Sequence, residues 1–285
     1  MNSLDDVFAL YVADLVRRNR KTVDNIESFY TNNVRAALGN KKIDSIKRPQ
    51  IIKLFNKITD RAPFVANRVL GILAAVYNLA VENGIVEVNI CKGIKKNREI
   101  ERKRYCTTDE LKNIFEALNE KVKNPRNKKS VAFIKLLIFS GCRVSEIAKA
   151  KWGNLQGNFI ILKEHKTDDK DDARKIFLSD QAMAIINSLE RKGDNVKIIG
   201  INKPNKLWYS IRDQVGCSDI RLHDLRHTFA SYAFRSKKVS REEVGNLLGH
   251  KSIQSTMRYM HIMDDTATQN AMDAGNEISK SINEE

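Results

Sequence analysis

The chain has 285 residues, 42% of them hydrophobic, with 50 Lys/Arg against 35 Asp/Glu and a formal net charge of +15. That apolar content supports an ordinary core and excludes a disordered chain, and the length suits two domains of common size or one large one. The basic excess, with a pI of about 9.6, points to a polyanionic partner, most often nucleic acid.

The charge is spread along the chain. Residues 1–106 hold 20 Lys/Arg and 11 Asp/Glu, residues 107–263 hold 29 and 18, and residues 264–285 hold 1 and 6. Two basic segments fit one ligand that touches both, and duplex DNA is long enough to do so. The opening MNSLDDVFALYVADL carries acids where a secretion leader has its positive region. The longest apolar run, VAFIKLLIFSGC, is too short to span a bilayer and contains Lys135. No membrane association is expected. Four scattered cysteines without CxxC spacing predict reduced thiols and a cytoplasmic location, with the nucleoid as the place of any DNA-bound fraction.

Residues 3–90 read as a helical bundle. Phe8, Tyr11, Val12 and Leu15 recur at helical spacing, and so do Ile26, Phe29, Tyr30 and Val34. Pro49 opens a third helix and Pro63 a fourth, which stops at Glu82-Asn83-Gly84. The stretch 91–106, CKGIKKNREIERKRYC, is dense in Lys and Arg and poor in apolar residues. It reads as an exposed basic linker that lies along a phosphate backbone.

A second domain is expected over 107–263. Thr107 and Glu110 form a capping box before LKNIFEAL. The apolar SVAFIKLLIFSG and then RVSEIAKAKW read as two helices. NFIILKEHK and ARKIFLS read as strands of a hairpin joined by TDDKDD, and VKIIGI at 196–201 as a further small strand. QAMAIINSLE, KLWYSIRDQVG, DLRHTFASYAFRS and SREEVGNLLGH return to helix. Ser240 and Glu243 make another capping box, and Gly249 suits the position after the helix end. The fold class is therefore mainly α with a small β-hairpin or sheet: a helical domain followed by an α+β domain, with an acidic tail at 264–285.

Four polar elements of the second domain carry chemistry. Arg143 follows a glycine at the junction of two apolar helices. A charge there needs an anion, or else the carboxylate of Glu146 one turn on. His223 and Arg226 are three apart and share a helix face, beside Leu222, Leu225 and Phe229. His223 and His227 have the spacing of a helical metal pair, but Asp224 stands where a zinc protease motif has Glu, so no metal is expected. Lys166 sits in the hairpin, with Lys163 and Lys170 as rivals. His250 stands just past a helix end, and Tyr259 follows in a polar segment with no apolar stripe to bury its ring.

GCRVSE, HKT in a hairpin, HDLRHTFAS and LGHKSIQSTMRY, in this order, resemble the tyrosine recombinases, the phage integrase family. The match covers most of 107–263, and the helical segment 1–90 looks like the family's core-binding domain by position and pattern. The resemblance implies that Arg143 and Arg226 grip the scissile phosphate and that Lys166 is the general acid for the leaving 5′ oxygen. It further implies that His223 and His250 flank the phosphate and that Tyr259 is the nucleophile. The long acidic turn TDDKDDA departs from the family's short basic or Gly-containing turn and leaves the choice among the hairpin lysines open.

The resemblance also implies a clamp on duplex DNA, four protomers in a synapse, accessory DNA-bending proteins, a tyrosine acting within its own protomer and a tail that docks on a neighbour. The expected activity is site-specific DNA breakage and rejoining without metal, ATP or cofactor, integrating or excising a mobile element. An Xer-like chromosome-dimer resolvase, a relaxing topoisomerase of the same mechanism and a non-cleaving DNA-binding regulator on the same fold are the alternatives.

Overall fold

The computed structural model describes residues 2–99, 102–162, 173–236 and 240–249. Lys163, Lys166, Lys170, His250, Tyr259 and the acidic tail lie outside the described residues. The chain divides into two compact units, Met1–Glu101 and Arg102–Glu285.

The first unit is built of helices α1 (Leu4–Arg17), α2 (Val23–Tyr30), α3 (Arg48–Thr59) and α4 (Pro63–Glu82), with α2 running on into a π-helical stretch, Thr31–Gly39. Ser3 starts α1 as its N-cap, accepting the Asp6 N–H while the Asp6 carboxylate takes the N–H of Ser3. Pro63 occupies the first turn of α4, where its missing N–H is no loss. Asn83 and Gly84 end the helix, the glycine at a left-handed φ of 66°. Among the described residues, α4 is the one helix long and apolar enough by composition to cross a bilayer. Its Ala66, Val69, Leu73, Val76 and Tyr77 instead fill the core against α1, α2 and α3. Tyr30 stacks on Phe8 with centroids 3.7 Å apart and donates its hydroxyl to Asp5 at 2.8 Å, so the one polar atom of a fully buried ring is satisfied.

The second unit contains α5 (Thr108–Lys121), α6 (Lys128–Ser140), α7 (Val144–Lys149), strands β1 (Leu155–Gln156), β2 (Phe159–Leu162) and β3 (Arg174–Phe177), then α8 (Asp180–Asn187), α9 (Asn205–Gln214), α10 (Asp224–Arg235) and α11 (Arg241–Leu248). Helix α6 is apolar on nearly every side, which places it at the centre, packed on α5, α7, α8, α9 and α10. The antiparallel sheet has the order β1-β2-β3. Ile160 pairs with Ile176, both fully buried, each contributing about 1.5–3 kcal/mol of apolar transfer. On the other face Lys175 Nζ lies 3.7 Å from the Phe159 ring centroid. The ladder ends at the pair Leu162–Arg174.

Two expectations need correction. Residues 196–201 form no strand. Gly193 and Gly200 adopt positive φ at 118° and 76°, which turns the chain at both ends, and only the isolated bridge Lys151–Lys197 forms while Ile198 and Ile199 fill the core. The basic stretch 91–106 is not uniformly exposed. Lys92, Lys95, Lys96, Arg98 and Lys103 face solvent, but Cys91 and Cys106 are buried. Arg102 Nε meets Asp224 at 3.0 Å, and Arg104 meets both Glu110 and Asp219. β1, a two-residue strand closed by Gly157 at a φ of 55°, is too short to show in the residue pattern.

The Thr107–Glu110 box forms as the sequence predicts, and Arg104 adds a fork to the same carboxylate. The Arg104 guanidinium holds the Glu110 carboxyl at about 2 against an ordinary 4.5, while burial works in the other direction. Because the folded value is depressed, the stabilisation is complete above pH 4.5 and is lost as pH falls toward 2. Chemical denaturation of Glu110→Gln should show a loss on the order of 1–2 kcal/mol at neutral pH. The gap to the wild type should close through that acidic window.

Candidate active site

The site begins where α6 ends. Its last turn leaves carbonyls without helical partners. Gly141, at a φ of 60°, turns the chain out of the helix. A Cβ at Gly141 would clash with Phe229 on α10, 2.6 Å from its Cγ, so glycine is required both by backbone hand and by packing. The Gly141 carbonyl accepts from Arg226 Nη1 at 2.9 Å. Arg226 is only 4% exposed, and burying a guanidinium demands such acceptors.

Two residues on, Arg143 caps α7. Its backbone N–H donates to Glu146 Oε2 at 2.7 Å, and its Nη1 donates to Glu146 Oε1 at 2.8 Å. The pairing with Glu146 expected from the one-turn spacing is therefore formed. It does not bury the arginine, whose side chain remains 43% exposed. Nη2 reaches the Gly249 carbonyl at 3.3 Å, just past α11.

Helix α10 carries Arg226 because its start is pinned. Asp224, buried, accepts the Arg221 N–H at 2.9 Å and Arg102 Nε at 3.0 Å. Thr228 accepts the Cys106 N–H at 2.9 Å and donates to the Asp224 carbonyl. His223 is the residue before the helix and is exposed; its ring meets that of buried His227 edge-on, with centroids 5.3 Å apart. His227 thus has a packing role that its four-residue spacing from His223 did not reveal. Among the described residues no group of three or more His, Cys, Asp or Glu side chains has metal-ligand spacing.

Arg174, the first residue of β3, has a place here that the residue pattern did not bring out. Its Nη2 donates to the Leu247 carbonyl at 2.8 Å and its Nη1 to that of Asn246 at 3.3 Å, both in the last turn of α11. Its Nε lies 3.5 Å from Glu146 Oε1, the oxygen that also holds Arg143. The signal was present: strand alternation puts Arg174 on the same face as Ile176, which is fully buried. Burial depresses the Arg174 guanidinium below its ordinary range, with Glu146 opposing the shift.

Arg143 and Arg174 thus share one carboxylate, a local excess of positive charge at a half-open position. Arg143, the more exposed of the two, offers the kind of guanidinium fork that fits an anion with tetrahedral oxygens. The neighbouring Cys142 thiol is no nucleophile: burial pushes it up to about 12, with Ser140 opposing the shift. The structure therefore brings Arg143 and Arg226 to the α6–α7 junction, while His223 stands at the head of α10 against His227. The expected Lys166, His250 and Tyr259 lie outside the described residues.

Residues 104–265 match the family model described as the phage integrase family, and residues 6–97 match the phage integrase central domain. A tyrosine recombinase of Thermosipho africanus is 25% identical over 284 residues, covering 93% of this chain and 96% of the relative. Tyrosine recombinase XerA of Saccharolobus solfataricus is 28% identical over 163 residues, 55% of this chain and 54% of the relative. In fold, the chain is similar to a lambda integrase tetramer bound to a Holliday junction, with a TM-score of 0.69 at 18% identity, covering 88% of this chain and 78% of that one.

Gly141→Ala should lower stability by about 2–4 kcal/mol, from left-handed strain and overlap with Phe229. Urea unfolding reads this directly. Gly141→Ala combined with Phe229→Ala should recover part of the loss, because only the overlap is relieved.

Proposed function

Because the chain belongs to the phage integrase family of tyrosine recombinases, enzymes that cut and rejoin DNA, we propose that it breaks and reseals duplex DNA at a specific site through a 3′-phosphotyrosyl intermediate. The observation that carries this reading is the pair of arginines at the α6–α7 junction: Arg226 buried on the Gly141 carbonyl, and Arg143 half-exposed on a carboxylate it shares with Arg174.

In this reading the scissile phosphate docks on Arg143 and Arg226. Attack builds negative charge on its nonbridging oxygens, and permanently charged forks set in place beforehand stabilise that charge. Tyr259 supplies the attacking oxygen. A free phenol has a pKa of about 10, so the cations and a histidine, His223 or His250, assist loss of its proton as the O–P bond forms. The P–O5′ bond breaks, and the departing oxygen takes a proton from the hairpin lysine, Lys166. The phosphotyrosyl bond conserves the energy of the broken one, so a 5′ hydroxyl can reverse the step without ATP. The arginines carry the charge stabilisation that a metal supplies elsewhere.

The basic balance of the chain fits a protein that lies along phosphates. By likeness to the lambda integrase tetramer, four copies work together on two DNA duplexes. The biological task we favour is integration or excision of a mobile element. The likeness to XerA supports Xer-type resolution as the second reading.

Covalent trapping tests all of this. The protein is incubated in EDTA with fragmented DNA from the cells that encode it, denatured in SDS, and the attached DNA is sequenced. Adducts should form in EDTA and vanish in Tyr259→Phe, which should still bind DNA; adducts surviving in that variant would remove Tyr259 as nucleophile. Adducts at the ends of an element carrying the gene support integration, and adducts at one chromosomal locus support resolution. Arg143→Ala should slow adduct formation by about 10²–10³-fold, as for other lost oxyanion donors.

A further inference from the structure

Arg174 lies outside the set of residues that the reading above assigns, yet it is among the most constrained cations of the second unit. Its side chain is only 11% exposed. Burying a guanidinium is unfavourable unless most of its donors are met, and here both Nη groups meet backbone carbonyls. Two donate to the last-turn carbonyls of α11, and Nη1 also donates to the Lys175 carbonyl at 2.7 Å.

Helix α11 does not need this arginine merely to end. Gly249 already closes it in the left-handed conformation, its N–H returning to the Asn246 carbonyl at 3.0 Å. A Cβ on Gly249 would lie 2.5 Å from Arg174 Cζ. The glycine therefore also makes room for the guanidinium. An inward-facing arginine on β3 and a glycine on α11 fit each other across 75 positions of chain.

The location gives this fit a purpose. Arg174 is the final rung of the β2–β3 ladder, at the base of the segment that contains Lys166. It grips the turn from which the chain leaves toward His250 and Tyr259. Its Nε faces the same Glu146 oxygen that orients Arg143. One side chain thus joins the hairpin, the carboxylate behind the phosphate-binding arginine and the exit of α11.

We propose that Arg174 is a positioning residue for strand cleavage: by clamping the last turn of α11 to β3 and to Glu146, it sets the direction in which the chain leaves Gly249 toward His250 and Tyr259, in register with Arg143. The inference rests on the recombinase reading above. Arg174 touches no reacting atom in this role; it acts through the residues that do. A lysine does not replace it, because one ammonium lacks the planar fork that spans two carbonyls and a carboxylate.

The test compares Arg174→Ala and Arg174→Lys with the wild type on the DNA fragment that the wild type cleaves. At saturating DNA, Arg174→Ala should form the phosphotyrosyl adduct about 10²-fold more slowly, the scale of a small misplacement of reacting groups. Arg174→Lys should remain slow, and both variants should bind the fragment as the wild type does. Without DNA, amide exchange at residues 246–249 should quicken while exchange in α6 stays unchanged.

A synthetic duplex with sulfur in place of the bridging 5′ oxygen adds the discriminating readout, since a thiolate leaves without an acid. Lys166→Ala should recover on it and Arg174→Ala should not. Recovery of Arg174→Ala would mean that the arginine serves only the hairpin, and a wild-type rate in Arg174→Ala would remove any role in cleavage; either overturns the proposal. Absence of adducts with the wild type would overturn the recombinase reading instead, while the exchange measurement still reports whether Arg174 holds the end of α11.

Discussion

The buried carboxylate of Glu146 is the constraint around which the second unit is arranged. It accepts the backbone N–H of Arg143, binds the Arg143 guanidinium and faces Arg174 Nε. A single carboxylate between two guanidiniums cannot neutralise both. The remaining positive charge is met by backbone carbonyls around Arg174 and by solvent at Arg143. Removing the carboxylate would leave the buried Arg174 and the half-exposed Arg143 facing each other without a counter-charge. Neutralising one arginine by deprotonation is not open to the protein, because guanidinium keeps its proton in any ordinary pH range.

Helix ends supply the other half of the arrangement. The carbonyls at the end of α6 and α11 have no helical partners and carry the negative end of each macrodipole. Arg226 takes the Gly141 carbonyl, Arg174 those of Asn246 and Leu247, and Arg143 that of Gly249. Each arginine is thereby oriented by backbone that cannot rotate away. Two glycines make this possible, Gly141 by admitting Phe229 and Gly249 by admitting the Arg174 guanidinium. The same left-handed cap thus serves in both places as a chain reversal and as a gap for a bulky neighbour.

Behind the charged layer the core is ordinary and does the holding. Helix α6 is surrounded by five other helices, so the position of Gly141 is set by dense apolar packing. A smaller cluster of Ala230, Phe234, Val244 and Leu248 joins α10 to α11. Helices α10 and α11 are therefore each fastened twice, by apolar contact and by arginine. This separation of holding from binding matches the demand that electrostatic catalysis makes, namely charges that need not reorganise when the reaction occurs.

Much of this was legible in the residues. Capping boxes at Ser240 and Thr107, prolines at helix starts, the apolar run of α6 and strand alternation are local rules, and local geometry obeys them. The order of GCRVSE, HKT, HDLRHTFAS and LGHKSIQSTMRY identified the family and the candidate residues Arg143, His223 and Arg226. What the pattern did not carry was long-range. That 196–201 would be a bridge and not a strand depended on glycines at both ends and on a partner at Lys151. That Arg102 and Arg104 would bind carboxylates on other elements of their own unit depended on Asp219 and Asp224. That Arg174 would clamp α11 was visible as an inward-facing charge but had no target until the helix was placed. The chain by itself determined most of the helical segments, the candidates for the chemistry and the family they resemble, because those follow from spacing along the backbone. Only the tertiary structure decided which charges share a partner, because a buried carboxylate is assigned by what lies within a few ångströms in space and not by what lies nearby in sequence.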